Sequence, residues 1–322
     1  MTGERVLILG AAGFVGPYLA GELAAHGADV VCADRAETGP AGFAYAQADM
    51  TDAEAVRALM SDVRPDAAVN LAAVSSVAQS WRMPRETFAV NVGGTLNLLE
   101  AARALEPMPR LLLIGSAEEY APRETPLDED APLDAGNPYG VSKQAQEQLA
   151  RVWAERYGLR ITCVRAFNHT GPGQDPRFAI PSWCRQAAAI DCGARPAVLR
   201  AGNLSVRRDF TDVRDVARAY RMILAGARGG EVYNVGSGHA RRLGDILDRI
   251  VALSSVPITV ETDPALVRAA DIPVQCCDHT RITKALGWMP ERALEDTVAE
   301  MFADARRQFT AGAPAPATDP QA

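Results

Sequence analysis

Residues 5–25 constrain what this chain can fold into more than any other stretch. Residues 5–9 (Arg-Val-Leu-Ile-Leu) are a short run rich in β-formers, Gly10-Ala11-Ala12-Gly13-Phe14-Val15-Gly16 follows, and residues 18–25 read as helix. A strand that passes through spaced glycines into a helix is the setting in which such glycines point to dinucleotide binding. Gly10 permits the tight turn. Gly13 lets the backbone approach a pyrophosphate at a helix N-terminus, and Gly16 lets the helix pack closely on the strand. Phe14 and Val15 sit inside the turn and would line the same ligand. The spacing is G-x-x-G-x-x-G, not the commoner G-x-G-x-x-G, and by itself it also fits any tight β–α turn.

The next residues keep the same rhythm. A second β-run at 29–33 leads to Asp34, about 20 residues past the glycines, where a carboxylate would bind a ribose 2′-hydroxyl. Arg35 comes next and could instead meet a 2′-phosphate, so NAD against NADP stays open. A third strand at 44–48 ends at Asp49 and Met50. Thr51-Asp52-Ala53-Glu54 has capping-box spacing and predicts a helix running to about residue 60. A strand at 67–71 is followed by Ala72 and Ala73, small enough to let a cofactor lie against the backbone. Residues 85–105 predict one long amphipathic helix, with Phe88, Val92, Leu96 and Leu99 toward its sheet and Asn91 buried to brace two strand ends. A fifth strand at 110–115 ends in Ser116-Ala117-Glu118-Glu119-Tyr120. In open α/β sheets the chemistry sits at the carboxyl ends of strands, which places Ser116 for a reactive role. This alternation predicts an α/β fold with a doubly wound parallel sheet.

Asn137-Pro-Tyr-Gly-Val-Ser-Lys143 is the stretch that suggests chemistry. Pro138 suits a first helical position, and Tyr139 and Lys143, four residues apart, then share one helix face. An ammonium beside a phenol stabilises phenolate and eases an ionisation that otherwise needs pH near 10. Such a tyrosine can exchange a proton with a carbonyl or alcohol oxygen. A surface Tyr with a Lys one turn on is common, however, so the pair gains meaning only from its neighbours. With Ser116 it could share one substrate oxygen.

After a sixth strand at 159–165 the texture changes. Residues 168–174 are polar and turn-rich, and the strand–helix alternation becomes irregular. Residues 212–225 read as helix, 231–235 as a strand returning to the main sheet, and 283–287 and 295–309 as closing helices. We expect a dinucleotide-binding domain at 1–165, a mainly substrate-binding lobe at 166–310, and a disordered Ala/Pro-rich tail at 311–322. Arg185, Arg208 and Arg268 scatter through the lobe. Each alone reads as solvated charge, but together they suit an anionic group such as a diphosphate.

Bulk properties exclude other classes. With 322 residues and a net charge of −7, neither nucleic acid nor an anionic membrane is an expected partner. No apolar run reaches the length of a membrane span, and no signal-peptide pattern precedes residue 6. The six cysteines make no C-x-x-C pair, and with four scattered histidines there is no metal-ligand constellation. Buried free thiols in a reducing cytoplasm are the expectation.

Taken in order, the glycine turn, Asp49-Met50, Leu71-Ala72-Ala73, Asn91, Ser116 and Tyr139-x-x-x-Lys143 resemble an extended short-chain dehydrogenase/reductase acting on nucleotide sugars. The resemblance runs from residue 5 to about 309. It implies a Rossmann-like sheet, a smaller C-terminal lobe and a bound NADPH or NADH. Three segments of the second half are similar to the branch of GDP-6-deoxy-4-keto-D-mannose reductases, which make GDP-D-rhamnose: Arg165-Ala-Phe-Asn-His-Thr-Gly-Pro-Gly-Gln174, Gly202-Asn-Leu204, and residues 207–215. Asp271-Ile-Pro-Val274 fits the same branch. The resemblance implies that Tyr139 protonates the sugar C4 oxygen, that Lys143 lowers its pKa and binds the nicotinamide ribose, and that Ser116 positions the carbonyl. It assigns Asn168, Asn203, Arg208 and Arg268 to the nucleotide diphosphate, with Arg185 as a helper and Asp271 beside them.

Three alternatives stand beside reduction. A GDP-mannose 4,6-dehydratase has Thr-x-Glu where this chain has Ser116-Ala117-Glu118, and Glu118 stands in register with the residue that removes the C5 proton there. A 4-epimerase uses the same scaffold. A cofactor-binding sensor would be expected to have lost Ser116, Tyr139 or Lys143, and all three are present. Relatives pair the helices at 85–105 and 137–155 into a four-helix interface. With Leu98 and Val141 lying beyond each helix's own stripe, a homodimer or a dimer of dimers is expected.

Overall fold

Short runs of Val, Leu, Ile and Ala, buried on both faces, make the centre of the molecule. We describe residues 1–267 and 272–310 in a computed structural model. In chain order the elements are β1 (Arg5–Leu9), α1 (Gly16–Ala25), β2 (Asp29–Asp34), β3 (Ala44–Gln47), α2 (Ala53–Val63), β4 (Ala67–Asn70), α3 (Val77–Arg82), α4 (Pro84–Phe88), α5 (Gly94–Arg103), β5 (Arg110–Ser116), α6 (Pro138–Tyr157) and β6 (Ile161–Ala166). They continue with β7 (Asn168–Thr170), α7 (Ala179–Asp191), β8 (Val198–Ala201), β9 (Arg207–Asp212), α8 (Val213–Gly226), β10 (Val232–Val235), β11 (Ala240–Arg242), α9 (Leu243–Val251), β12 (Thr259–Thr262), β13 (Val274–Gln275), α10 (Thr280–Leu286) and α11 (Leu294–Thr310).

Seven strands form one sheet in the order β10-β6-β5-β4-β1-β2-β3, every pair parallel. One face packs on α1 and α8, with Leu19, Leu23, Val216, Tyr220 and Ile223 against Val6, Ile8, Val69 and Leu112. The other packs on α2, α5 and α6, through Leu59, Met60, Leu98, Leu99 and Ala150 against Leu7, Leu9, Leu111 and Leu113. Strand order reverses between β1 and β4, so the crevice above their carboxyl ends is where a ligand binds in such sheets. A separate core under α7, α9 and α11 makes the smaller lobe. The second half is not all lobe: α8 returns to cover the main sheet, and β10 pairs with β6 from Val232 to Val235.

Several local expectations are corrected. The α2 cap is Asp52, whose carboxylate accepts from Glu54 N and Ala55 N, and not Thr51, whose hydroxyl turns back to Asp49. The long helix at 85–105 is broken. After α4 comes a π-turn, Ala89–Gly93, and only then α5. A π-turn inserts an extra residue and rotates the helix beyond it, so the stripe read through Phe88 and Leu96 fails. Both are exposed at the surface, while Leu98 and Leu99 fill the core. On α6, Val152 likewise faces outward. Arg268, Asp271 and the tail at 311–322 lie outside the described residues. Among the described residues no helix is long and apolar enough to cross a membrane, and the six cysteines are all unpaired.

Candidate active site

The glycine turn is shaped by its contacts. Gly10 has φ +78°, and a Cβ there would collide with the backbone of Ala72, so the turn lies directly on the segment after β4. Gly16 abuts Ala11 in the same way and fixes α1 on β1; it does not line the cleft. Asp34 at the end of β2 accepts from Ala12 N and Ala36 N, each at 3.1 Å, and so ties the turn to its own loop. Arg35 beside it is 69% exposed and lies 3.8 Å from Glu86. The Phe14 ring is stacked on half-buried His169 at 3° between planes.

The next wall is held by side-chain amides. Asn70 accepts from Ala72 N, and Asn91, in the π-turn, accepts from Val74 N at 2.8 Å. Asn91 also donates to Val74 O and to Ser142 Oγ. It therefore braces the segment after β4 against α6, not two strand ends, and it acts from behind the cleft. Asp49 accepts from Thr51 N and Oγ1, and the backbone bond to Thr51 holds its carboxyl below the usual range.

The reactive groups sit where β5 meets α6. Ser116 ends β5; its Oγ accepts from Glu118 N while its own N–H donates to Glu119 Oε1 at 2.7 Å. Asn137 caps α6 through Gly140 N and reaches back to Glu118 Oε2 at 2.8 Å. Tyr139 comes next, buried, its N–H donating to Ser80 Oγ, and it lines the cleft with Ser116. Lys143 Nζ donates to Ile114 O at 2.6 Å and to Gln146 Oε1 at 3.2 Å, 6.0 Å from the Tyr139 ring centre.

Here the electrostatics correct the sequence reading. Burial pushes the Tyr139 phenol up, against a smaller opposing effect of Ser116. Burial pushes Lys143 down to about 8. The phenol is thus held protonated, as a donor. Glu119 is wholly buried against β5, and burial together with Glu147 raises its carboxyl well above the usual range.

Across the cleft the lobe contributes Asn168, Asn203 and Arg208. Asn168 Nδ2 is buried without a partner among the described residues. Arg208 Nη1 donates to Arg207 O and Ile272 O, and Asn203 Oδ1 accepts from Ser205. Arg185 is not in the cleft: its guanidinium lies 5.7 Å over the Phe309 ring. Arg177, Trp183 and Arg200 line the cleft and were missed from sequence. The alternating burial of β8 (Leu199 and Ala201 in, Arg200 out) carries a signal for Arg200, since a strand's period of two puts it opposite the lobe core.

These walls enclose one cleft of about 620 Å³, within the range of ligand sites. Gly10, Gly13, Phe14, Val15, Asp34, Arg35, Asp49, Met50, Leu71, Ala72 and Ala73 line one arm, Ser116, Glu118, Tyr139 and Lys143 the middle, and Asn168, Asn203 and Arg208 the other. The first arm fits a dinucleotide, because the Gly10–Gly16 turn leaves backbone exposed at a helix start. The middle can hand a proton to an oxygen. Among the described residues no group of three or more His, Cys, Asp or Glu could hold a metal ion.

Known proteins resemble the chain over most of its length. The family model described as GDP-mannose 4,6 dehydratase matches residues 7–301. A Pseudomonas aeruginosa protein named GDP-6-deoxy-D-mannose reductase is 33% identical over 94% of this chain and 97% of its own. The structure of RMD from Pseudomonas aeruginosa complexed with NADPH superposes with TM-score 0.83 at 31% identity, covering 95% of this chain and 99% of that one. UDP-glucose 4-epimerase from Thermus thermophilus, in complex with NAD, gives TM-score 0.83 at 28% identity, covering 94% and 99%.

Proposed function

The chain belongs to the GDP-mannose 4,6-dehydratase family, within the extended short-chain dehydrogenases/reductases, and on that basis we propose that it is an NAD(P)H-dependent oxidoreductase that reduces the C4 keto group of a GDP-4-keto-6-deoxyhexose, forming GDP-D-rhamnose. The observation that carries this reading is the placement of Ser116, Tyr139 and Lys143 in one cleft with the Gly10–Gly13 turn; burial of Tyr139 favours its protonated, proton-donating form. Reduction needs an acid at the carbonyl oxygen, whereas dehydration and epimerisation begin by oxidising an alcohol and need a base there. When bound, the nicotinamide cofactor supplies the hydride. Tyr139 gives its proton to the C4 oxygen, and Ser116 Oγ fixes that oxygen. Lys143 would hold the cofactor's ribose. Asn168, Asn203 and Arg208 would bind the nucleotide diphosphate, Asn168 with the amide that has no partner among the described residues. The NADPH-bound relative supports NADPH as the first cofactor to test, with NADH beside it.

Mixing the purified chain with GDP-4-keto-6-deoxymannose and NADPH or NADH should consume reduced-nicotinamide absorbance; no loss with either cofactor sinks the proposal. Glu118 lines the cleft beside Ser116 and keeps a dehydratase reading in view. Incubation with GDP-mannose alone separates the two, because a dehydratase converts it with no net change in cofactor. Unpaired thiols fit a reducing compartment, so we place the reaction in the cytoplasm.

Assembly belongs to the same proposal. Trp81, Phe88, Leu96, Val141 and Val152, on α3 to α6, are all at least 36% exposed. Exposed apolar residues on adjoining helices suit a second copy of the chain about a two-fold axis. Such a homodimer would clamp the helix that carries Tyr139 and Lys143. Sedimentation at micromolar concentration should give a dimer or a dimer of dimers; a fully active monomer rules it out.

A further inference from the structure

Tyr220 does something that its packing does not require. It stands on α8, wholly buried, with its ring in the core that holds Leu112, Val164 and Ala166 under the main sheet. A phenylalanine would fill that space equally. The hydroxyl, however, is buried and has no partner among the described residues. The same residue lines the cleft whose middle holds Ser116 and Tyr139. Burial pushes its phenol up, with a smaller contribution in the same direction from Tyr139, which lines the same cleft. A buried donor without an acceptor lowers stability and is normally paired. At the floor of a ligand cleft, the missing partner is expected on the ligand.

We propose that the Tyr220 hydroxyl is a cofactor-binding group, making the floor contact to the carboxamide of the nicotinamide ring. The inference rests on the oxidoreductase reading above. For a hydride to reach the carbon whose oxygen Tyr139 protonates, the ring must lie in contact distance of that carbon. The carboxamide would then be a polar group of the cofactor within reach of Tyr220. It offers an oxygen acceptor and two N–H donors, and a phenol can serve either. The side chains packed around Tyr220 are mainly apolar, so its hydroxyl would be a polar feature able to help set how a bound ring is turned.

The test separates the nicotinamide from the rest of the dinucleotide. The full chain and Tyr220→Phe are titrated with NADPH and with 2′-phospho-ADP-ribose, which keeps the phosphates and adenosine but lacks the nicotinamide; NADH and ADP-ribose replace them if NADH is the preferred cofactor. The variant should bind the reduced dinucleotide about 3- to 10-fold more weakly, the effect of one neutral hydrogen bond, and bind the truncated ligand as the parent does. Melting without ligand should be unchanged or higher, since the unpaired hydroxyl is gone. Equal affinities of parent and variant for the reduced dinucleotide overturn the proposal, because an idle hydroxyl or one bonded to water predicts that. So does an equal loss for both ligands, which would signal a general packing defect. If the parent itself binds neither NADPH nor NADH, the oxidoreductase reading fails first and this inference falls with it.

Discussion

Tyr139→Phe is expected to lower kcat by about 10²- to 10⁴-fold, the usual contribution of a positioned proton donor. Binding of the reduced cofactor should stay largely intact. The ring is buried at the start of α6, and phenylalanine keeps that packing; only the phenol oxygen is lost. The proton then has no donor held at the C4 oxygen, while hydride donor and carbonyl remain side by side. Stopped-flow measurement of nicotinamide oxidation with saturating substrate, beside a fluorescence titration of cofactor, separates the two effects. A variant that keeps the parent rate would move the proton donor elsewhere, with Glu118 or water as the candidates. The pH dependence adds a second check. The Tyr139 phenol, pushed up by burial, stays protonated through neutrality, but Lys143, pushed down to about 8, loses its charge above that pH. Turnover should therefore decline as the pH rises through about 8 if the ammonium is what holds the ribose.

How far the sequence led depends on what kind of interaction fixed each feature. The strands, the glycine turn and the Tyr139–Lys143 pair were legible because local rules govern them: period-two or continuous burial, positive φ at Gly10, and one face of a helix start. The phase of α5 was not legible. It depends on the π-turn at Ala89–Gly93, and no local pattern around Asn91 marks that turn; what holds it is a bond to Val74, 17 residues away. The net direction of the Tyr139 shift was not legible for a similar reason. Spacing says that Lys143 is near Tyr139. It does not say that Ile114 O and Gln146 capture the ammonium, or that burial outweighs any help it gives the phenolate. Arg185 and Arg200 show the same limit. Both are arginines in the lobe, and only tertiary packing decides that one lies on Phe309 while the other faces the cleft.

Arg165→Met should destabilise the fold by about 3–5 kcal/mol, the cost of leaving buried charge without its partner. That is a large share of the roughly 5–15 kcal/mol that holds a typical domain together. Arg165 is 5% exposed near the end of β6 and makes a two-pronged pair with Glu147, at 3.0 and 2.6 Å. Its Nη1 also donates to the Tyr120 hydroxyl and to Glu129 O. Glu119 lies 4.0 Å away, its Oε2 buried without a hydrogen-bond partner among the described residues. Gly115 leaves room for that carboxyl, since a Cβ there would collide with it. Methionine keeps most of the arginine's bulk but leaves Glu119 and Glu147 facing each other. The pH dependence has a definite sign. Glu119 already has a raised folded-state pKa, so its favourable protonated form is present at low pH and is lost as the pH rises through that value. Without the guanidinium the carboxyl rises further. The deficit of the variant should thus be smallest in mild acid and largest above neutrality. Denaturant unfolding at several pH values reads it directly, and Glu119→Gln in the Arg165→Met background should recover part of the loss at alkaline pH. Activity gives the link to the site, because Glu119 Oε1 is what holds the Ser116 N–H. A variant as stable as the parent at every pH would mean that the Glu119–Arg165–Glu147 cluster contributes nothing, and that Ser116 is positioned by its own turn alone.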